Sequence, residues 1–294
     1  MPPWSTRRVV APDGVGLAVH ETGAGSAPVL LCLHGYPDDA RLWDGVAGEL
    51  AGTFRVVAPD VRGAGGSDRP TARAAYRLDR LLDDLLAVLD AVGEGPVHLL
   101  GHDWGSIQGW HAVGDDRFRG RLATYTSISG PGLDGAGRWV RSRVRPEPRA
   151  LAQLARQLTA STYVAGFQLP VLPELAWRTG LAGRAVARSV ARREGPVPAG
   201  WPRPADAVDG LQLYRANLLR PRSVAQRPAH VPVQLLVPAR DPVVSAPLQI
   251  GAAREFADPL VRTVDAGHWL PRSRPDVVAR AVADFTGVGP QWQG

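Results

Sequence analysis

From residue 28 onward, short apolar runs alternate with stretches of helical period, the rhythm of a parallel α/β protein in which each crossover helix returns the chain to the same edge of a sheet. The runs PVLLCL (28–33), FRVVAP (54–59), PVHLLG (96–101), LATYTSI (122–128), VPVQLLVP (231–238) and LVRTVD (260–265) are predicted strands. Ahead of them, RRVVAPDGVGLAVH reads as an antiparallel hairpin turning at Pro12, Asp13 and Gly14. Leu78, Leu81, Leu82, Leu85, Leu86 and Leu89 recur at helical spacing against Asp79, Asp83, Asp84 and Asp90, with Gly93 in a C-cap position, so an amphipathic crossover helix is predicted there. Between Pro131 and Ala229 the strand rhythm stops. Helix-like stretches such as RALAQLARQLTAS replace it, and this segment reads as an inserted lid.

One junction stands apart. PVHLLGHDWGS runs a strand through Gly101, His102, Asp103, Trp104 and Gly105 into the helical pattern SIQGWHAV. Small residues two before and two after a central side chain are what a sharp strand-to-helix turn needs, because larger ones collide across the strained bend. Asp103 holds the place that serine takes in G-x-S-x-G enzymes, near a helix N-terminus whose dipole favours an anion. The bland alternative is an aspartate N-cap in a glycine-rich turn. His34, Gly35, Tyr36 and Pro37 follow another strand, and a loop there can aim the Tyr36 N–H at the same point as the Trp104 N–H, a two-donor oxyanion hole. Asp241 and His268 fall just past later strands, so Asp103, Asp241, His268 is the chain order nucleophile, acid, histidine. Asp134, after the strand ending near Ile128, is the rival acid. His20, His98, His102, His111 and His230 have no comparable setting and read as structural or surface residues.

Composition narrows the classes. With 294 residues, 45% hydrophobic and 21% charged, the chain is long and apolar enough for one large domain, or one domain carrying an insertion. Cys32 is the only cysteine, which excludes an intramolecular disulfide and a cysteine metal cluster and fits a reducing compartment. The N-terminus MPPWSTRR has no apolar signal region, and no unbroken apolar run reaches the roughly 18 residues of a membrane span, so a cytoplasmic protein without a membrane partner is expected. The net charge is +6, and every basic residue is arginine. Alongside 33 Gly and 27 Pro, this is what GC-rich codons produce, and without a run of five arginines it is weak evidence for nucleic acid. From Arg138 to Arg227, sixteen arginines face five acids, so the lid carries the basic excess; a solvated face is the plain reading.

Taken together, HGYP, DVRGAGGSD, GHDWGS, RDPVV and AGHWLP, in this order and spacing, resemble the α/β-hydrolase-fold epoxide hydrolases over nearly the whole chain, and GHDWG resembles their Asp-nucleophile branch. GHDWGSIQGW is also similar to the hydrolase half of two-domain proteins that append a short-chain dehydrogenase, for which a chain ending at Gly294 leaves no room. The resemblance implies a mostly parallel eight-stranded sheet flanked by helices, with a core of residues 1–130 and 230–294 and a helical lid over 131–229. It implies Asp103, His268 and Asp241 as catalytic residues, with Tyr163 and Tyr214, from STYVAGFQLP and LQLYRANL, as proton donors from the lid. Tyr36 and Trp104 would form the oxyanion hole, and His34, Phe167 and Trp269 would line the pocket. Where the family often has an aromatic beside the first lid tyrosine, this chain has Thr162. No cofactor or metal is implied. The partners are a small epoxide and water, with a homodimer left open.

An aspartate nucleophile changes the chemistry. Attack on a carbonyl gives only a labile anhydride, whereas attack on an sp³ carbon bearing a leaving oxygen or halide gives an ester that water can cleave. The runner-up is therefore a haloalkane or haloacetate dehalogenase. Against it, Tyr36 stands where haloalkane dehalogenases often carry Asn, and Trp104 where haloacetate dehalogenases usually carry Arg. A non-catalytic binding protein on the same fold is the remaining alternative. GAGGS within DVRGAGGSD looks like a phosphate loop in isolation but follows Asp60 and Arg62 in the hydrolase motif.

Overall fold

The structure is a computed structural model that describes residues 3–93, 95–218 and 224–288. Residues 219–223, inside the expected lid, lie outside the described residues, and so do Arg220 and Arg222 of its charge count.

Eight strands form one sheet: β1 (Ser5–Val10), β2 (Gly16–Thr22), β3 (Val29–Leu33), β4 (Arg55–Pro59), β5 (Val97–His102), β6 (Leu122–Ile128), β7 (Val233–Pro238) and β8 (Leu260–Val264). Their order across the sheet is β1-β2-β4-β3-β5-β6-β7-β8. The hairpin β1–β2 is antiparallel and β2 meets β4 antiparallel; every other pairing is parallel. All six predicted strands and the hairpin are present.

The continuous apolar runs are explained by the period of two. On β3, Leu31 and Leu33 pack into one core layer, while Leu30 and Cys32 pack into the other; on β7, Leu235 and Val237 divide from Leu236 in the same way. Helices cover both layers. The first is closed by α2 (Leu78–Val92) and α3 (Trp104–Ala112), the second by α1 (Asp44–Leu50) and the C-terminal α12 (Pro275–Thr286). Five of the six predicted leucines are buried on α2, each contributing about 1.5–3 kcal/mol, while Leu86 is half-buried and Asp84, expected on the polar face, is buried against Arg62. Gly93 ends that helix at φ 121°, a conformation that side chains resist.

Between β6 and β7 the described residues form six helices and no strand: α4 (Leu133–Arg143), α5 (Pro148–Ala160), α6 (Thr162–Gln168), α7 (Leu172–Arg178), α8 (Leu181–Glu194) and α9 (Pro204–Asn217). Of two further helices, α10 (Ala246–Arg254) lies between β7 and β8 and α11 (Leu270–Ser273) follows β8. A third apolar cluster joins five of the six inserted helices, all but α5, to the sheet, with Trp177, Leu211 and Tyr214 on one side and Tyr36, Tyr76 and Trp104 on the other. Arginines of this segment, Arg145, Arg149, Arg178 and Arg184 among them, are exposed. Among the described residues no helix is long and apolar enough to cross a membrane.

Candidate active site

Asp103 stands at the turn from β5 to α3 with φ 51° and ψ −118°, a backbone state that an L-residue holds only under the constraint of its surroundings. Those surroundings are glycines. A methyl group on Gly101 would lie 2.7 Å from the Gly105 carbonyl oxygen, and one on Gly105 would overlap the Leu33 carbonyl oxygen. Gly35 is equally close to the Asp103 carboxylate. The glycine spacing of the sequence is thus the steric condition for the bend.

Asp103 is 6% exposed. Its Oδ1 accepts the Tyr36 backbone N–H at 2.7 Å, and the Trp104 backbone N–H also acts on it as a donor. Burial pushes the Asp103 pKa up to about 6, against the opposing pull of His268 and these two N–H groups. The Oδ2 atom lies 3.8 Å from His268 Nε2, beyond hydrogen-bond distance.

His268 follows β8, and its Nδ1 bonds to Asp241 Oδ2 at 3.0 Å. The Asp241 Oδ1 atom accepts the N–H groups of Val243 at 2.7 Å and Val244 at 2.9 Å, so the turn after β7 fixes the acid that fixes the imidazole. Burial disfavours the imidazolium, but Asp241 and then Asp103 outweigh it and raise His268 to about 9. The same pairing holds Asp241 below the usual carboxylate range despite its own burial. Asp134 is engaged elsewhere: its Oδ2 accepts the Gln226 N–H at 2.6 Å.

Facing this group from the inserted helices are Tyr163 on α6 and Tyr214 on α9, whose rings meet edge to face at 5.9 Å. Their phenols are in hydrogen-bond contact, and Tyr214 also reaches the Trp104 side chain. Burial pushes both well above the ordinary tyrosine range, so each is a neutral O–H near an ionisable carboxylate. Phe167 packs against Tyr36, Tyr163 and Tyr214 at 5.0–5.5 Å.

Residues 28–273 match the alpha/beta hydrolase fold family. The chain belongs to it. Over 293 residues it is 36% identical to the Mycobacterium tuberculosis protein named probable oxidoreductase EphD, covering 95% of this chain and 49% of that one. It therefore spans about half the length of the EphD proteins it matches. Over 323 residues it is 30% identical to epoxide hydrolase A of Mycobacterium tuberculosis, covering 95% of this chain and 97% of the relative. A crystal structure of a Bacillus megaterium epoxide hydrolase with an inhibitor superimposes with a TM-score of 0.80 at 22% identity, covering 96% of this chain and 100% of that one, a likeness of fold.

Other residues of this alpha/beta hydrolase take places that pattern reading did not assign. His102, read as structural or surface, is fully buried beneath His268, and its Nε2 bonds to the His268 carbonyl oxygen at 2.9 Å. A carbonyl only accepts, so Nε2 carries the proton, and burial holds this ring neutral with a pKa of about 3. Asp38 accepts the Trp201 indole at 2.7 Å, the Trp269 indole at 2.8 Å and Arg272 at 2.6 Å, tying the inserted segment, the HGYP loop and the His268 loop together. Trp269, expected in the pocket, thus spends its polar atom on Asp38. His34 has both ring nitrogens engaged by backbone, donating from Nδ1 to the Gly35 carbonyl and accepting the Val61 N–H at Nε2. Arg215 donates to the carbonyls of Phe167 and Leu169 and to Glu174, binding α9 to the end of α6. The glycine run of DVRGAGGSD wraps the Asp60 carboxylate, whose Oδ2 accepts the Gly66 N–H at 2.8 Å. His34, Asp60, His102 and Trp269 lie within the sequence motifs and Asp38 directly follows HGYP, but only their neighbours in space mark these roles.

Proposed function

We propose that the chain hydrolyses epoxides to vicinal diols through an ester on Asp103. The observation that carries this reading is the setting of the Asp103 carboxylate, which takes the backbone N–H groups of Tyr36, on Oδ1, and Trp104, while Oδ2 faces His268 Nε2 at 3.8 Å. The relatives named epoxide hydrolases support it.

In this reading Oδ2 attacks an epoxide carbon, the ring C–O bond breaks, and Tyr163 or Tyr214 gives its proton to the departing oxygen, which becomes the first hydroxyl of the diol. The helices α4–α9 act as the lid that brings these phenols to the site. His268 then takes a proton from water and the hydroxide adds to the ester carbonyl. Its oxygen, Oδ1, already accepts the Tyr36 N–H, and the Trp104 N–H donates to the same carboxyl group, so the charge of the tetrahedral species develops where donors are in place. Collapse breaks the bond between the acyl carbon and the alkyl oxygen, and the imidazolium protonates the second hydroxyl. The acid left on Asp103 loses its proton, which restores the phenol. A carboxylate nucleophile also suits a dehalogenase, but a departing halide needs no proton, which leaves the paired buried phenols without a task.

Isotope labelling tests this directly. In a single turnover in ¹⁸O-water, with enzyme in excess over styrene oxide, the diol should emerge unlabelled and the peptide containing Asp103 should gain the label. Label in the diol on the first turnover would mean that water attacks the epoxide itself.

A further inference from the structure

Helix α8 ends at Glu194, whose side chain turns back from the inserted helices to the edge of the sheet. Its Oε1 lies so close to Gly267 that a methyl group on that glycine would overlap it. The carboxylate faces the backbone N–H groups of Trp269 and His268, which favour its charged form, while Oε2 is buried and takes no hydrogen bond. A buried carboxylate oxygen without a donor costs stability, and the contact calls for an explanation. The charged groups that face Glu194 from the sheet edge are His268 and Asp241; on its own helix, Arg192 and Arg193 are exposed. Burial raises its pKa, and the His268 charge and the two N–H groups oppose that rise.

We propose that Glu194 is a positioning residue for the base: from the inserted helices it holds the Gly267–Trp269 turn and supports the positive charge that His268 acquires. This inference rests on the proposed reaction for its chemical meaning. The carboxylates that act on the imidazole are Asp241, Asp103 and Glu194, in descending order. Ester formation on Asp103 removes one of these charges. From then on Asp241 and Glu194 stabilise the imidazolium that forms as His268 takes the proton of water. Because Glu194 belongs to the inserted segment, the base reaches full strength only with that segment seated. The glycine of AGHW acquires a reason as well, since any side chain there would expel the carboxylate.

The test is a histidine-selective NMR pH titration of the whole protein in wild type, Glu194→Gln and Glu194→Ala. Glutamine keeps the shape of the side chain and removes only a buried charge, so the fold is retained, and near-UV circular dichroism checks it. In both variants the His268 midpoint should fall by roughly half a unit, a weaker effect than a directly bonded charge would give. In single turnovers with styrene oxide the alkyl-enzyme should form at the wild-type rate and, on the alkaline plateau where His268 is neutral in every protein, decay more slowly by up to about threefold, the limit set by that shift. An unmoved midpoint in both variants overturns the proposal, as does a midpoint that moves while decay keeps the wild-type rate. The titration uses no substrate. A wild type that hydrolysed no epoxide would therefore contradict the proposed reaction alone, and the titration would still decide the contact.

Discussion

The two halves of the site are held in different ways. On the sheet side, backbone does the holding: Asp103 is fixed by its own strained turn and the Tyr36 N–H, and Asp241 by the N–H groups of Val243 and Val244. On the helical side, side chains do it. Tyr163 rides on α6, a helix of seven residues with no side-chain cap and no fully buried member, and Arg215 fastens that helix to α9. The apolar surface that α6 and α7 leave exposed, with Leu169, Leu172 and Leu175 about half exposed or more, belongs to the same half. Groups fixed by backbone keep their geometry as long as the sheet exists. Groups fixed by a few side chains form a region that opens at lower cost, which suits the part of a site through which substrate must pass.

If the comparison is right, removing the donors of the helical half should spare the nucleophile. General-acid help is typically worth about 10²–10⁴ in rate. The double change Tyr163→Phe and Tyr214→Phe should slow Asp103 alkylation by an epoxide within that range, with each single change milder because one phenol partly covers for the other. Alkylation by a haloalkane measured in the same single-turnover experiment should not fall. Undiminished epoxide alkylation in the double variant would make these tyrosines packing residues.

Loosening the helical half without touching its donors sharpens the contrast. Arg215→Met strips the carbonyls of Phe167 and Leu169 of a donor and leaves Glu174 unpaired. Breaking such a partly buried network costs about 2–4 kcal/mol. We expect a lower Tm and a raised KM, with His268 titrating as in wild type. A His268 midpoint shifted as far as that of Glu194→Gln would show that the halves are not separable in this way.

The pH dependence of the two chemical steps separates them further. Alkylation needs Asp103 ionised, and its pKa is raised to about 6. The alkylation rate should therefore be flat at neutral pH and fall about tenfold per unit below pH 6. Hydrolysis needs His268 neutral, and the free histidine titrates near 9 with Asp103 charged beside it. The ester removes that charge, so the pH limb of ester decay should lie below 9. Rapid-quench measurement of formation and decay across pH reads both limbs, and coincident limbs would contradict the assignment.

The sheet side was legible because its signals are local. Apolar runs mark strands, glycines at Gly101 and Gly105 mark the bend, and Asp241 and His268 follow strand ends, each visible within about ten residues of sequence. Tyr163 and Tyr214 were reached through resemblance, since helical periodicity does not say which face of α6 or α9 turns toward Asp103. Glu194 and Arg215 act across long separations in the chain, through contacts that no periodicity announces. His34 shows the opposite case: it stands in a conspicuous motif, yet its ring braces one loop against another.

The central claim is that Asp103 carries the substrate covalently while His268 releases it. Replacing His268 with Gln should leave alkylation possible and block hydrolysis. The intact mass of His268→Gln incubated with styrene oxide should then rise by the mass of that epoxide, with the adduct on the peptide containing Asp103. An unchanged mass with epoxides that the wild type turns over, or an adduct on any other peptide, would contradict the account.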